Sequence, residues 1–263
     1  MIVQIVNSSL ALARRSITMQ IKQHALGYAW TLIIPMLYAG CYIFIKQQLN
    51  GGREHTVEGW WDVIRAFAGI TLFQCWMHQV QETSDFIRRN KGLLKGMSVG
   101  PIPFVLAIAL EGVIALVVRV LLIVIAVPIL GLSLPGDWYA WLCFFFSLVA
   151  LLASATMVGL LLAPWAVLYA DVRKGLNSVG LPLILISPIF YSALEKTSGG
   201  LFWVNVINPI SAPLAVITRS LRGEDSVYVL PMVIAFGVSI LVLAWLFKSL
   251  GRQVPILLER MGN

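Results

Sequence analysis

Charge is what this chain has least of. Only 12% of its 263 residues are charged, while 59% are hydrophobic. A soluble domain carries about 25% charged and about 45–50% apolar residues. Half the usual charge cannot cover the surface of a globule this size. An ordinary water-soluble enzyme, a disordered chain and a nucleic-acid-binding domain are therefore excluded, and most of the chain is expected to lie in lipid.

Cysteine and histidine are scarce too. Cys41, Cys75 and Cys143 each sit in an apolar run, and His24, His55 and His78 are isolated. No CxxC or Cys/His spacing suggests a metal, so no metal site is expected. There is no GxxxxGK[ST] phosphate loop, no HExxH, no GxSxG and no EF-hand loop. The chain alone should not hydrolyse ATP, and no catalytic residue or cofactor of its own is expected. The balance of 19 Lys+Arg against 12 Asp+Glu, net +7, fits the basic flanks of membrane spans.

The few charges punctuate the apolar runs, and a helix crossing lipid needs about 20 apolar residues. The uncharged gaps place spans at 29–46, 61–81, 103–131, 138–168, 176–194 and 228–247. The second is the weakest, because Gln74, His78 and Gln79 interrupt it. A further uncharged gap, Lys196 to Arg219, contains Gly199, Gly200, Asn205, Asn208, Pro209 and Pro213. Such residues break helices and leave backbone groups that lipid cannot satisfy. Residues 197–222 therefore read as re-entrant or interfacial helices between spans five and six, with a seventh span as the alternative.

Basic residues set the orientation. With six spans, Arg14, Arg15, Lys22, Arg88, Arg89, Lys91, Lys95, Arg173, Lys174, Lys248, Arg252 and Arg260 share one side. Lys46, Arg53, Arg65, Lys196, Arg219 and Arg222 share the other. The richer side is the cytoplasmic one, so both termini are expected there. The expected fold is an all-α membrane protein. Residues 1–28 form an amphipathic interfacial helix, 29–247 the membrane domain and 248–263 a cytoplasmic tail.

Residues 82–100 form the loop between spans two and three. Glu82 and Asp85 precede Arg88 and Arg89, an order that suits a short helix whose dipole favours acid first and base last. Away from the ends of the spans only Glu111 and Arg119 are charged. Eight residues separate them, roughly 12 Å along a helix and on different faces, so they are not expected to pair directly. They are read as paired across helices or across a subunit interface. Tyr38 and Tyr42 lie one turn apart on span one, as do Phe73 and Trp76 on span two. Flat aromatic faces of this kind stack on sugar rings. Packing and interfacial anchoring explain the same residues equally well.

Several motifs carry a resemblance. Leu26-Gly27-Tyr28-Ala29-Trp30 with Pro35 following resembles the start of ATP-binding-cassette permeases of the polysaccharide/polyol-phosphate export branch. Asn90-Lys91-Gly92-Leu93-Leu94 resembles the start of that branch's third span. Tyr169-Ala170-Asp171-Val172-Arg173 resembles its cytoplasmic YRD motif. Ser187-Pro188-Ile189-Phe190-Tyr191 and Asn205-Val206-Ile207-Asn208-Pro209 resemble its SPVxY and NP segments. The matches run in order over residues 26–219. Departures are Arg14-Arg15 for the branch's Arg-Asp pair, Gln23-His24 for its RY, Ala170 for its Arg, and Gly100-Pro101 for its Phe-Pro.

The resemblance implies a membrane subunit that pairs with a second copy of itself and docks on two cytoplasmic ATPase subunits, which bind the ATP and Mg. The implied cargo is a lipid-linked glycan of the O-antigen, capsule or teichoic-acid type, exported across the inner membrane. Glu82, Asp85, Arg88, Arg89, Asp171 and Arg173 would couple to the ATPase. Tyr38, Tyr42, Phe73, Trp76 and Tyr191 would line the pathway. A drug- or lipid-efflux permease and a stand-alone secondary transporter are the competing readings. No internal repeat of the kind that marks secondary transporters is found.

Overall fold

A computed structural model describes residues 2–23, 33–34, 36–38, 40–41, 44, 57–96, 100–191 and 200–260. Among these, all regular structure is helical. The helices are α1 (Ile2–Gln23), α2 (Val57–Ser84), α3 (Phe86–Arg89), α4 (Lys91–Gly96), α5 (Ile102–Ile129), α6 (Trp138–Leu168), α7 (Asp171–Ile186), α8 (Gly200–Ile207), α9 (Ser211–Arg222) and α10 (Val229–Arg260). Most of the stretch read as span one, including Tyr42, lies outside the described residues.

Among the described residues, three helices, α5, α6 and α10, are long and apolar enough to cross a membrane. The first of them, 28 residues long, reaches about 42 Å at 1.5 Å per residue. The 28-residue helix α2 is as long, but Gln74, His78, Gln79 and Gln81 dilute its apolar character. The chain is a multi-pass helical membrane protein.

The centre of the bundle is α6. Half of its most apolar stretch is buried inside the chain, against 28% for α5 and 22% for α10. The reason is a row of small side chains. Ser147, Ala155, Gly159 and Ala163 recur at multiples of four, winding from the α10 side to the α2 side, and all are buried. Lipid offers no hydrophobic drive between helices, so close backbone approach and interhelical hydrogen bonds must hold them together. A Cβ on Gly159 would lie 2.6 Å from Thr83 Cβ and 2.8 Å from the Val80 carbonyl oxygen. Trp76 Nε1 donates to Ser154 Oγ at 3.0 Å, and Gln79 Nε2 donates to Thr156 Oγ1 at 3.3 Å. These contacts make α2 and α6 parallel.

Gln79 also faces Gly112 of α5, and Cys75 faces Arg119, so α5 runs antiparallel to α2. On the other side of α6, Ser147 packs on Met232 and Phe146 on Phe236 near one end. Leu160 and Ala163 join Leu246 and Leu250 near the other. Thus α10 is parallel to α6.

Two boundaries differ from the sequence reading. The stretch expected to be helical over 176–194 is helical over Asp171–Ile186 instead. Asp171 suits a helix N-terminus. Ser187, the residue before Pro188, is driven to an extended conformation, with ψ 150°. Helix α7 still follows α2 closely and in the opposite direction. Arg173 meets Asp85, Gln81 Nε2 donates to Asn177 Oδ1 at 2.8 Å, Gly180 faces Met77 and Ile189 closes on Gly69. The second difference is α10, which continues past 247 to Arg260. Leu246, Leu250, Val254, Leu257 and Leu258 keep a buried stripe on it.

The two ends of the bundle are distinct. At one, Phe86, Ile87, Phe104, Leu160 and the C-terminal stripe of α10 form an apolar cluster beneath α3 and α4. At the other, α9 and the start of α10 pack on α6 through Ala212, Ala215, Val216 and Tyr228. Asp137 starts α6 there by accepting from the Tyr139 N–H at 3.3 Å. Gly223, at φ +73°, ends α9 in the left-handed conformation that glycine adopts without strain.

Candidate functional site

Two sites stand out, one at each end. The first is built on the 82–100 loop, of which residues 97–99 lie outside the described set. Its two short helices are anchored by Phe86 and Ile87, both essentially inaccessible to solvent. This dipeptide wedges the loop between α6 and the C-terminal stripe of α10. The loop therefore cannot shift without moving the helix ends that grip it. The sequence reading, which followed the charges, did not single out this pair. Its only signal was two adjacent large apolar residues in a polar run.

The charged residues of the loop divide by role. Asp85 is buried and precedes α3, but its carboxylate does not cap that helix. It reaches Arg173 Nη1 at 3.5 Å instead. With Gln81–Asn177, this contact braces the loop against the start of α7. Glu82 pairs with Arg89, so neither of those two is solely outward-facing. Arg88 is exposed and has no polar partner among the described residues. It is the loop cation most available to a second protein. Asp171 and Lys174 sit 3.9 Å apart, both well exposed. Such a surface pair contributes about 0–1 kcal/mol.

The intramembrane charges are placed separately. Glu111 Oε2 accepts from Ser16 Oγ at 2.9 Å, tying α5 to α1. Arg119 is 6% exposed, lies beside Cys75 and donates to the Ala115 carbonyl at 3.3 Å. Among the described residues the two do not pair with each other, as the sequence spacing implied.

The second site joins the segments after α7 and around α8. Asn208 Nδ2 donates to Ser187 Oγ at 3.1 Å, while its Oδ1 accepts from the Ile210 N–H at 3.3 Å. Tyr191 donates its hydroxyl proton to Asn205 Oδ1 at 3.2 Å. Asn205 is 1% exposed and also interacts with Tyr228 at the start of α10. Four polar residues of two separate sequence motifs thus form one joint between α7, α8, α9 and α10. The chain breaks into short helices at Asn208-Pro209, and neither α8 nor α9 is long enough to cross a bilayer. Asn208→Ala is expected to strand the Ile210 N–H and to remove one of the two hydrogen bonds of Ser187 Oγ, which keeps its bond to the Leu183 carbonyl. The cost should be about 1–3 kcal/mol, read as a lower melting temperature in detergent. Ser187→Ala should cost less, because Asn208 keeps its bond to Ile210.

The proposed pathway aromatics are not gathered on one surface. Phe73 and Trp76 are 5% and 4% exposed and belong to the packed core, where the Trp76 N–H is already committed to Ser154. In this conformation both pack in the core, Trp76 against Ser154 of α6. Tyr38 is 57% exposed, and Tyr191 is half-buried with its hydroxyl engaged. Near the second site, Arg222 lies over the Trp61 ring at 5.7 Å and pairs with Glu224 at 3.0 Å, contacts that no sequence spacing announced.

The helices are held together by small residues, and a loop is keyed into the core of the bundle. The chain belongs to the ABC-2 type transporter family, whose model matches residues 8–221. It is thus the permease component of an ATP-binding-cassette exporter, a class that works with separate ATP-binding subunits. Comparison with curated proteins gives no match.

Proposed function

We propose that the chain exports a lipid-linked polysaccharide as one half of a permease dimer, driven by two ATPase subunits docked under the 82–100 loop. The membrane is the inner membrane, and both termini are cytoplasmic. The observation that carries the glycan reading is the joint at the second site. Ser187, Tyr191, Asn205 and Asn208 belong to the motifs that resemble the glycan-exporting branch, and they bond to one another.

Other features support the same arrangement. Residues 171–189 track α2 from just past its C-terminal end, at Asp85, back to Gly69, which suits a fifth span, and the helical residues between 33 and 44 suit a first. With α2, α5, α6 and α10 these make six. The short helices α8 and α9 suit a re-entrant segment on the outer side. Helix α7 buries none of its residues in the chain and exposes Val179, Leu181 and Leu185, a face for the second copy. At the opposite end the Phe86-Ile87 wedge gives the ATPase a lever, with Arg88 as the contact residue and Asp85–Arg173 as the brace.

The test is a deletion of the chain in cells that make the glycan. Surface glycan should disappear and its lipid-linked precursor should accumulate on the cytoplasmic leaflet. Normal surface glycan, with only tolerance to toxic compounds changed, would contradict the glycan reading.

A further inference from the structure

A cavity of about 400 Å³ lies between α1, the 82–100 loop and the first turns of α5. Its polar lining is Arg15, Ser16, Glu82, Arg89, Asn90 and Glu111. Four of these carry charge, two of each sign, so the cavity is balanced and does not favour a bare anion. The charges are also not all satisfied within the chain. Glu82 and Arg89 pair with each other. Arg15 has no acidic partner among the described residues. Glu111 takes the Ser16 hydroxyl on Oε2 only, which leaves Oε1 without a donor among the described residues. The complement of this lining is a small zwitterion that brings an oxyanion to the arginines and an N–H donor to Glu111.

Depth argues for the source of that zwitterion. Glu111 lies nine residues into α5, about 14 Å along its axis. It sits inside a stretch whose other charge, Arg119, faces α2. A segment of a cytoplasmic protein reaching Glu111 would have to enter the lipid layer. A lipid is already there. Ile114 and Val118 continue the face of Glu111 along α5 and are 44% and 39% exposed, so an acyl chain can lie on them. Leu12, Leu93, Phe104 and Ile108 supply the apolar part of the wall.

We propose that this cavity holds the headgroup of an aminophospholipid, phosphatidylethanolamine. Its phosphodiester lies between Arg15 and Arg89, and its ammonium donates to Glu111. The lipid fills the gap between α1 and the loop helices, so it packs at the point where loop motion reaches the bundle. The inference is independent of the identity of the exported cargo.

The test uses the permease with its ATPase subunits in mild detergent, stripped of lipid. Phosphatidylethanolamine, phosphatidylcholine and phosphatidylglycerol are added separately, and native mass spectrometry counts the lipid retained. Phosphatidylethanolamine should bind at a concentration about tenfold lower than the other two, the scale of one charge-assisted hydrogen bond. Choline has no N–H to donate, and the glycerol headgroup carries no positive charge. Glu111→Gln should erase most of that preference.

Gly92 lines the cavity, and a Cβ there meets nothing within 4 Å. Gly92→Trp should therefore block retention of all three lipids while the protein stays folded, and it decides the matter should Glu111→Gln fail to fold. Unchanged retention in Gly92→Trp would overturn the proposal. So would a preference for phosphatidylglycerol, which would mark a simple basic patch. A photo-cross-link from position 92 that captures only the ATPase subunit would overturn it as well.

Discussion

Gly159→Val is expected to destabilise the fold severely. The new Cβ would fall 2.6 Å from Thr83 Cβ and 2.8 Å from the Val80 carbonyl oxygen. The second neighbour is backbone and cannot rotate away, so α2 and α6 must separate. Separation stretches Trp76–Ser154 and Gln79–Thr156, now 3.0 and 3.3 Å, out of hydrogen-bond range. Overpacking alone costs about 1–3 kcal/mol. The stranded polar groups add about 1–3 kcal/mol more. Net stability is typically about 5–15 kcal/mol, so a loss of this size removes a large share of it and sharply raises the unfolded population at growth temperature. Size-exclusion chromatography in detergent should show aggregate in place of a single peak.

Two comparisons calibrate that result. At Gly112 an added Cβ meets the amide end of Gln79 and a methyl of Leu152, both parts of flexible side chains, so Gly112→Ala should cost less. At Gly237 it meets nothing, and Gly237→Ala should be neutral or slightly stabilising. Wild-type melting of Gly159→Val would mean that the α2–α6 crossing does not hold the bundle.

Arg88→Glu is expected to abolish coupling while leaving the fold intact. Arg88 is exposed, with no polar partner among the described residues, so its reversal should change stability by no more than about 0.5 kcal/mol. If it meets an acidic group on the ATPase, the reversal should cost several kcal/mol of association, about 2–5 for a buried charge pair. Recovery of the ATPase with the tagged permease should then fall roughly 30-fold or more. Adding Arg89→Glu should deepen the loss, because it also sets two acids against each other at Glu82. Unimpaired co-purification and export in the double variant would remove the loop as the docking point.

Much of the fold is legible in the sequence because lipid imposes a simple rule. Charges are expensive in the bilayer, so the uncharged gaps mark α6 and most of α10 directly, and α5 stands out with only Glu111 and Arg119 inside it. The same rule is weaker for α2. Gln79 and Trp76 bond to Thr156 and Ser154, so those side chains are polar in composition yet satisfied in the core. The break at Ser187-Pro188 shortens α7 for a local steric reason that hydropathy does not register.

The sites were partly legible for a related reason. Motif order pointed to Ser187, Tyr191, Asn205 and Asn208, but only three dimensions join them. The acid-then-base order of the 82–100 loop suggested only that Glu82 and Asp85 complement a helix dipole. Arg173, 88 residues away, takes that carboxylate instead, and no local pattern encodes such a partner. Phe73 and Trp76 looked like a sugar-stacking face because an aromatic pair one turn apart has the same spacing whether it faces an opening or a neighbouring helix.

The central claim is that this chain is moved by a separate ATP-binding subunit. The most direct measurement is transport of a labelled lipid-linked glycan in sealed vesicles. The purified permease is reconstituted alone or with its ATPase, with and without ATP. Flux is predicted only when permease, ATPase and ATP are all present. Flux through the permease alone, driven by an ion gradient, would contradict the account.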